Sequence, residues 1–381
     1  MKSSVGSDSW DDFMLEAIRL SRDGFGRTAP NPMVGALLVR DGRVMARGLH
    51  RAWGEAHAEL DVLEDARRQG LDPASCTLVV TLEPCSHHGR TPPCVDAILG
   101  AGIRHVVIGV KDPNPVAAGG AERLAGAGVR VEFGAAAQEC LDNIADFLHF
   151  RNSRRAWLTL KLASTLDGRI ADHTGRSRGI SSPESLEYVH WLRGRVQAVL
   201  VGGGTFYADN PMLTVRETGR DLPDQPLAVV AASNLPEKSS AFSLLRERPG
   251  STIFFTGKAA AESARARELR SLGVRVHGME DMDGLGQVLE VLRRDYACHY
   301  VLCEGGGRLG FSFLRQGLAD EILVHLAPLV LGDNQGKPLF DGGAPRSLGT
   351  ASGLRLVSME RRGRDVALRY FPEEINPASS G

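Results

Sequence analysis

Apolar positions in the first part of the chain switch repeatedly between a helical period and the period of a buried strand. From Ser9 to Gly24, Phe13, Ala17 and Leu20 share one helical face with Met14 and Ile18, and Ser9 is placed to cap that helix. Thr28-Ala-Pro-Asn-Pro32 breaks it. Val34–Val39 reads as a short strand, Asp41-Gly42 as a hairpin turn and Arg43–Gly48 as the returning strand. His57–Gln69 has the helical period, Thr77–Leu82 reads as a buried strand, Val95–Leu99 opens another helix, and His105–Val110 is again a strand. Helices interleaved with strands predict a layered α/β domain. A basic stretch, Arg151-Asn-Ser-Arg-Arg155, comes next. The alternation restarts at Trp157–Leu162 and runs to about Phe371, leaving a polar tail, Pro372–Gly381. The expected domains are residues 1–150 and 151–375, in keeping with a length of 381 residues.

Composition narrows the function classes. The chain is 43% hydrophobic and 24% charged, as in ordinary globular proteins, with a formal net charge of −1. No basic run marks a phosphate-backbone groove, so no nucleic-acid partner is expected. No stretch is apolar for the length of a membrane span, and Met1–Asp12 lacks the apolar core of a secretion signal. The expectation is therefore a cytoplasmic protein with no membrane partner, where a disulfide framework is uncommon. Cys76, Cys140, Cys298 and Cys303 sit among apolar or helix-like neighbours and read as small buried residues. Cys85 and Cys94 have other surroundings.

His57-Ala-Glu59 opens a helix, and Thr81-Leu-Glu-Pro-Cys-Ser-His-His-Gly-Arg-Thr-Pro-Pro-Cys94 comes after a strand. One histidine and two cysteines make a three-ligand zinc set, which leaves a fourth tetrahedral position for water and so marks a catalytic site. The metal lowers the pKa of that water towards 7, and Glu59 is placed to carry its proton. The order H-x-E, P-C, Cys is that of zinc deaminases, but eight residues separate Cys85 from Cys94 where two are usual. Two merely buried cysteines, or a structural zinc completed by His87 or His88, are the competing readings of the residues alone. Glu59 speaks against the second, since a structural site needs no proton shuttle.

The run Leu82–Cys94, with Pro30-Asn-Pro-Met-Val-Gly35 and Gly48-Leu-His50 upstream, closely resembles the bifunctional riboflavin-biosynthesis deaminase–reductase family, in which the long insertion between the metal cysteines recurs. The resemblance implies a cytidine-deaminase-like α/β/α sandwich with zinc on His57, Cys85 and Cys94 and with Glu59 catalytic. The implied reaction is hydrolytic loss of the 2-amino group from 2,5-diamino-6-ribosylamino-4(3H)-pyrimidinone 5′-phosphate. His50 and Asn31 are candidate substrate contacts. Asp112-Pro-Asn-Pro115 also looks like the family, and Val116–Glu122 less so.

In the second half, Val199–Gly204 reads as a strand entering a triple glycine. Tyr300–Gly307 reads as a strand, an acid and a second triple glycine, with a helix from about Leu309. Such turns offer backbone N–H groups to a phosphate, and they are also ordinary tight turns. Lys161–Gly168, Ile180–Pro183, Leu192-Arg193, Gly202–Thr205, Ala208–Arg216 and Glu304–Gly307 resemble the family's reductase half in order and spacing. This second resemblance implies a dihydrofolate-reductase-like α/β domain that takes NADPH and reduces the ribosyl group of 5-amino-6-(5-phosphoribosylamino)uracil to ribityl. Ala163, Thr205, Asp209 and the turn Gly306, Gly307, Arg308, Leu309, Gly310 match cofactor-contacting positions. Ser177, Arg193, Leu213, Arg216 and Glu304 match substrate-contacting ones, and Lys161 is placed to touch either. The forked guanidinium of an arginine suits the substrate's phosphate. Asp167 is placed to contact a ligand or to cap the turn before Gly168. Two departures stand out: Gly179 where the family usually has Trp, and no acid in Val229–Ser233. The expected partners are a small-molecule substrate and further copies of the same chain in a homo-oligomer. The alternatives are a chain that only deaminates, with its second half a binding or oligomerisation module, and a deaminase acting on another heterocycle.

Overall fold

The computed structural model describes residues 7–87, 93–216, 225–281, 284–344 and 347–373. The chain divides into two units, Met1–Asn152 and Ser153–Gly381.

In the first unit, helix Ser7–Ser21 precedes the hairpin β1 (Gly35–Arg40) and β2 (Arg43–Leu49), and then come helix Ala58–Arg68 and β3 (Thr77–Leu82). Helix Cys94–Gly100, β4 (His105–Val110), helix Gly120–Gly126, β5 (Arg130–Phe133) and helices Ala137–Asn143 and Ala145–Asn152 complete it. The strands form one sheet in the order β2-β1-β3-β4-β5, with β1 antiparallel to β2 and β3 and the rest parallel. The hairpin turns where the sequence indicates, with Asp41 at φ 51° and Gly42 at φ 72°. The expected cap fails: the first helix already begins at Ser7, which puts Ser9 inside it.

Two glycines show why this sheet is covered on both sides. A Cβ on Gly35 would stand 2.0 Å from the Ala17 carbonyl oxygen of the first helix, and one on Gly48 would stand 2.2 Å from the Val62 nitrogen of helix Ala58–Arg68. Gly48 pairs with Ala36, the neighbour of Gly35, so the two helices lie on opposite faces. That is an α/β/α sandwich, and it explains the continuous burial of β1, β3 and β4.

The second unit holds β6 (Trp157–Thr165), β7 (Arg169–Ala171), helix Pro183–Arg193, β8 (Ala198–Gly202), helix Gly203–Asp209 and β9 (Leu227–Ala231). Then come β10 (Thr252–Gly257), β11 (Arg275–Met279), helix Leu285–Tyr296, β12 (Tyr300–Cys303), helix Gly307–Arg315 and β13 (Glu321–Ala327). The short β14 (Lys337–Pro338) pairs with β7, and a hairpin of β15 (Gly353–Arg362) and β16 (Asp365–Glu373) ends the unit. The main sheet runs β11-β10-β9-β8-β12-β6-β13-β16-β15. It is parallel as far as β13 and antiparallel at the β16-β15 edge. Strand β16 carries Pro372 and Glu373, so the tail begins later than the composition suggests.

The two faces of β6 differ in kind. Leu158, Leu160 and Leu162 enter an apolar core with Val301, Ile322 and Val324. On the alternate face the register sets Lys161 beside Leu323 and Ala163 beside His325. A buried polar layer results, with Thr159, Lys161, Glu321 and His325 all shielded from solvent. Cys76, Cys140, Cys298 and Cys303 are buried and unpaired, as expected. No helix among the described residues is long and apolar enough to cross a membrane.

Candidate functional site

His57 is the residue before helix Ala58–Arg68, in extended conformation, and Glu59 lies in its first turn. Cys85 comes after β3 and Pro84, and Cys94 starts its own helix behind Pro93. The four residues thus come from strand and helix ends on one edge of the sheet. His57 Nδ1 lies 3.3 Å from Cys94 Sγ and 3.7 Å from Cys85 Sγ. The Cys94 backbone N–H donates to Cys85 Sγ at 3.4 Å. The three donor atoms lie within 4.8 Å of one another, which fits a single tetrahedral ion with one side left open. The hydrogen bond with Cys94 holds the Cys85 thiol down to about 4, while that same bond and burial push Cys94 up. The Cys85 contact raises His57, and burial raises the carboxyl of Glu59, which is only 4% exposed. Residues 88–92 of the intervening run lie outside the described residues, His88 and Pro92 among them.

A cavity of about 350 Å³ opens over this cluster. Asn31 and His50 line it together with His57, Glu59 and Cys85. His50 donates from Nδ1 to the Ala56 carbonyl at 2.9 Å, which leaves Nε2 to accept from the Asn31 amide at 3.3 Å. Burial lowers the His50 pKa, so a neutral imidazole in one tautomer is the stable form. Sequence reasoning passes over Glu83, two residues before Cys85. Its buried carboxylate accepts from the backbone N–H groups of Asp112 (3.1 Å), Gly119 (3.1 Å) and Ala121 (3.0 Å). It therefore ties the Asp112–Ala121 segment to the strand end that carries Cys85. Asp112 lines the same cavity, and burial raises its pKa. An acid in a Leu-Glu-Pro-Cys run at the end of an apolar strand is the one sequence signal that points to Glu83.

The second unit has its own cavity of about 760 Å³, at the carboxyl ends of β8, β9 and β12. Thr205, Asp209, Gly306, Gly307, Arg308 and Leu309 line it, as does Ser177. Ligands of open parallel sheets bind at such strand ends. Helix Gly307–Arg315 starts here rather than at Leu309, and Gly306 is its N-cap. Lys337 reaches the same cavity, another residue that sequence reasoning does not single out. Burial raises the Asp209 pKa, with Lys337 and Arg178 opposing the rise.

The other candidates lie elsewhere in this unit. Gly310 packs towards Leu160, and Ala163 stands beside His325 on β6. Arg193 is bound to Glu304 by two hydrogen bonds of 2.7 Å, and Lys161 lies in the field of that pair. Burial brings the Lys161 amine down to about 8. Leu213 is buried at φ 50°, and Arg216 is exposed, its backbone N–H donating to His190 Nδ1. Asp167 accepts from Thr165 Oγ1 and from the N–H groups of Leu331 and Gly332, so it clamps a loop. Gly179 has φ 96°, a conformation that a tryptophan adopts only under strain. Ala231, Ala232 and Ser233 line the larger cavity without an acid.

Residues 8–110 match the cytidine and deoxycytidylate deaminase zinc-binding region, and residues 156–368 match the RibD C-terminal domain. The riboflavin biosynthesis protein RibD of Aquifex aeolicus is 37% identical over 94% of this chain and 97% of its own length. This chain belongs to the RibD family. The Escherichia coli RibD is 34% identical over 93% of this chain and 97% of its own. Among solved structures, a diaminohydroxyphosphoribosylaminopyrimidine deaminase/5-amino-6-(5-phosphoribosylamino)uracil reductase from Thermotoga maritima superposes with a TM-score of 0.74 at 34% identity, covering 96% of this chain and 99% of that one. Acinetobacter baumannii RibD gives 0.71 at 31% identity, covering 97% and 100%. Like its RibD relatives, this chain is a bifunctional enzyme of riboflavin biosynthesis, a zinc-binding deaminase followed by a reductase. The RibD match to the second half disfavours the reading in which the chain only deaminates.

Proposed function

We propose that the first unit deaminates 2,5-diamino-6-ribosylamino-4(3H)-pyrimidinone 5′-phosphate, and that the second reduces the ribosyl group of the product, 5-amino-6-(5-phosphoribosylamino)uracil, with NADPH. The observation that carries the reading is the three-donor cluster of His57, Cys85 and Cys94, of which His57 and Cys85 line a cavity together with the buried Glu59. Zinc held there supplies a nucleophile at neutral pH by acidifying a water. Glu59 would take up the proton that this water gives up and pass it to the ring nitrogen, then carry the proton of the added hydroxyl to the departing amine, so that ammonia leaves and the carboxylate is restored. Asn31 and His50, fixed by their mutual contact, orient the ring edge.

In the reductase unit, the Gly306 turn and the first N–H groups of helix Gly307–Arg315 would receive the cofactor's pyrophosphate, with Thr205 next to Gly306 and Asp209 lining the same cavity. NADPH bound there would supply a hydride to C1 of the ribosylamino group as the C1–O4′ bond of the sugar opens and its oxygen takes a proton. Lys161 and Arg216 offer positive charge to the substrate, Ser177 and Leu213 shape its approach, and the Arg193–Glu304 pair fixes the wall between them. Ala163 and Gly310 keep their proposed cofactor role from the family match alone, since Gly310 packs on Leu160 and Ala163 lies on the other face of β6. Association into a homo-oligomer and a cytoplasmic location belong to the same proposal.

Product masses from the diaminopyrimidine phosphate, measured with and without NADPH, test this reading. Ammonia release without NADPH, then NADPH consumption giving the ribityl product, is the expected result. Ammonia without any NADPH use overturns the reductase half, and full deamination by metal-free protein overturns the zinc mechanism.

A further inference from the structure

The wall of the deaminase cavity is buried or half-buried except at Trp53, Gly54 and Glu55. These residues belong to the short loop between two site histidines, His50 and His57. The loop is braced along its length. The His50 N–H donates to the Val34 carbonyl (3.0 Å), the Trp53 N–H to the Arg27 carbonyl (2.9 Å) and the Glu55 N–H to the Ala52 carbonyl (3.1 Å). His50 Nδ1 donates to Ala56 (2.9 Å), closing the loop on itself. The indole at its tip is 55% exposed while lining the cavity whose floor holds His57, Glu59 and Cys85. A large aromatic ring, more than half exposed on a braced loop at the cavity wall, offers apolar surface that a planar ligand can cover with a gain in free energy.

We propose that Trp53 is a substrate-binding residue of the deaminase, its indole stacking on the pyrimidine ring at the cavity entrance. The proposal rests on the deaminase reading above and adds a residue to it. The geometry suits an amine-first entry. The exocyclic amine goes to the floor, where Glu59 can protonate it, while the ring still spans the rim. Every planar heterocycle has a π-face, so the indole contributes affinity and leaves the choice of amine to the floor. Its contribution is the same in the ground state and in the transition state, and it therefore shows in KM and not in kcat.

The test uses zinc-loaded full-length protein with Trp53→Ala and Trp53→Phe. Initial rates of ammonia release are measured over a range of diaminopyrimidine phosphate concentrations. For Trp53→Ala, KM rises about tenfold, within the range that base–aromatic stacking gives on alanine substitution, and kcat stays within about twofold. Trp53→Phe keeps most of the affinity. Titration with the deaminated product, without NADPH, quenches tryptophan emission in the natural protein, and Trp53→Phe loses that quench. NADPH oxidation with the aminouracil substrate is unaltered in both variants. An unchanged KM in Trp53→Ala, or a fall in kcat at constant KM, overturns the proposal while leaving the deaminase reading intact. Absence of ammonia release from the natural protein overturns both.

Discussion

Arg193 meets Glu304 through two parallel hydrogen bonds of 2.7 Å, Nε to Oε1 and Nη2 to Oε2, and its Nη1 donates to the Thr214 carbonyl at 2.9 Å. Three of the five guanidinium N–H donors are thereby used within the protein. The pair joins the end of helix Pro183–Arg193 to the turn after β12, with the side chains only 12% and 15% exposed. Removing one partner leaves the other charge buried and uncompensated, at a cost of about 3–5 kcal/mol. Glu304→Gln is therefore expected to lower the thermal midpoint of the reductase unit and abolish NADPH consumption, while ammonia release continues at its normal rate. The aminouracil would accumulate, and mass analysis of the products reads it directly. Unchanged NADPH turnover in Glu304→Gln would contradict a shared role for the pair.

Glu59 is separable from the metal donors. Glu59→Gln keeps the shape and leaves His57, Cys85 and Cys94 in place, so the purified variant is expected to retain its zinc. Ammonia release falls by about 10²–10⁴, the range for loss of a positioned proton carrier. Cys94→Ser is expected to lose zinc and activity together. Metal analysis alongside the ammonia assay distinguishes the two, and a zinc-free Glu59→Gln protein would show that the carboxylate supports the metal site instead.

Much of the deaminase unit is legible from period and punctuation. Thr77–Leu82 and His105–Val110 are strands with those bounds, and His57 stands one residue before its helix. Alternation suffices there because sandwiched parallel strands are apolar throughout and short turns separate them. Ser9 misleads because a serine within a helix and one capping it look alike in sequence. The polar layer of β6 and β13 is illegible for another reason. A polar residue among apolar ones along a strand carries no mark of which side it faces, and for Lys161, Glu321 and His325 only the sheet order brings them under cover. Glu83 escapes notice because its partners, three backbone N–H groups, carry no signature in the sequence.

Glu83 is expected to matter through the loop it holds. In Glu83→Gln one acceptor oxygen becomes an NH₂ group facing backbone donors, which leaves buried N–H groups unsatisfied at about 1–3 kcal/mol each. The Asp112–Ala121 segment then loosens on one wall of the cavity. The expected outcome is a raised KM for deamination and faster amide hydrogen exchange at Gly119 and Ala121, with NADPH turnover untouched. Unaltered exchange at those amides would show that the loop is held by other contacts.

His325 gives the reductase unit a specific sensitivity to acid. Its imidazole is 1% exposed, and neither ring nitrogen has a hydrogen-bond partner among the described residues. Lys161 and Arg362 add positive charge nearby, Asp365 opposes them, and the Tyr188 ring lies 5.8 Å away. Burial first, and these cations next, bring its pKa from 6.5 down to about 3. Between those values the unfolded chain binds a proton that the native chain does not, so stability declines as pH falls through this window. From pH 7 to pH 5 this group alone accounts for about 2 kcal/mol, at roughly 1.36 kcal/mol per pH unit below the unperturbed pKa. His325→Phe removes both the titration and the two unsatisfied nitrogens. The variant's denaturant midpoint is expected to exceed that of the natural protein at pH 7, and by a wider margin at pH 5. Equal slopes of midpoint against pH in the two proteins would show that His325 takes up its proton without unfolding the sheet around it.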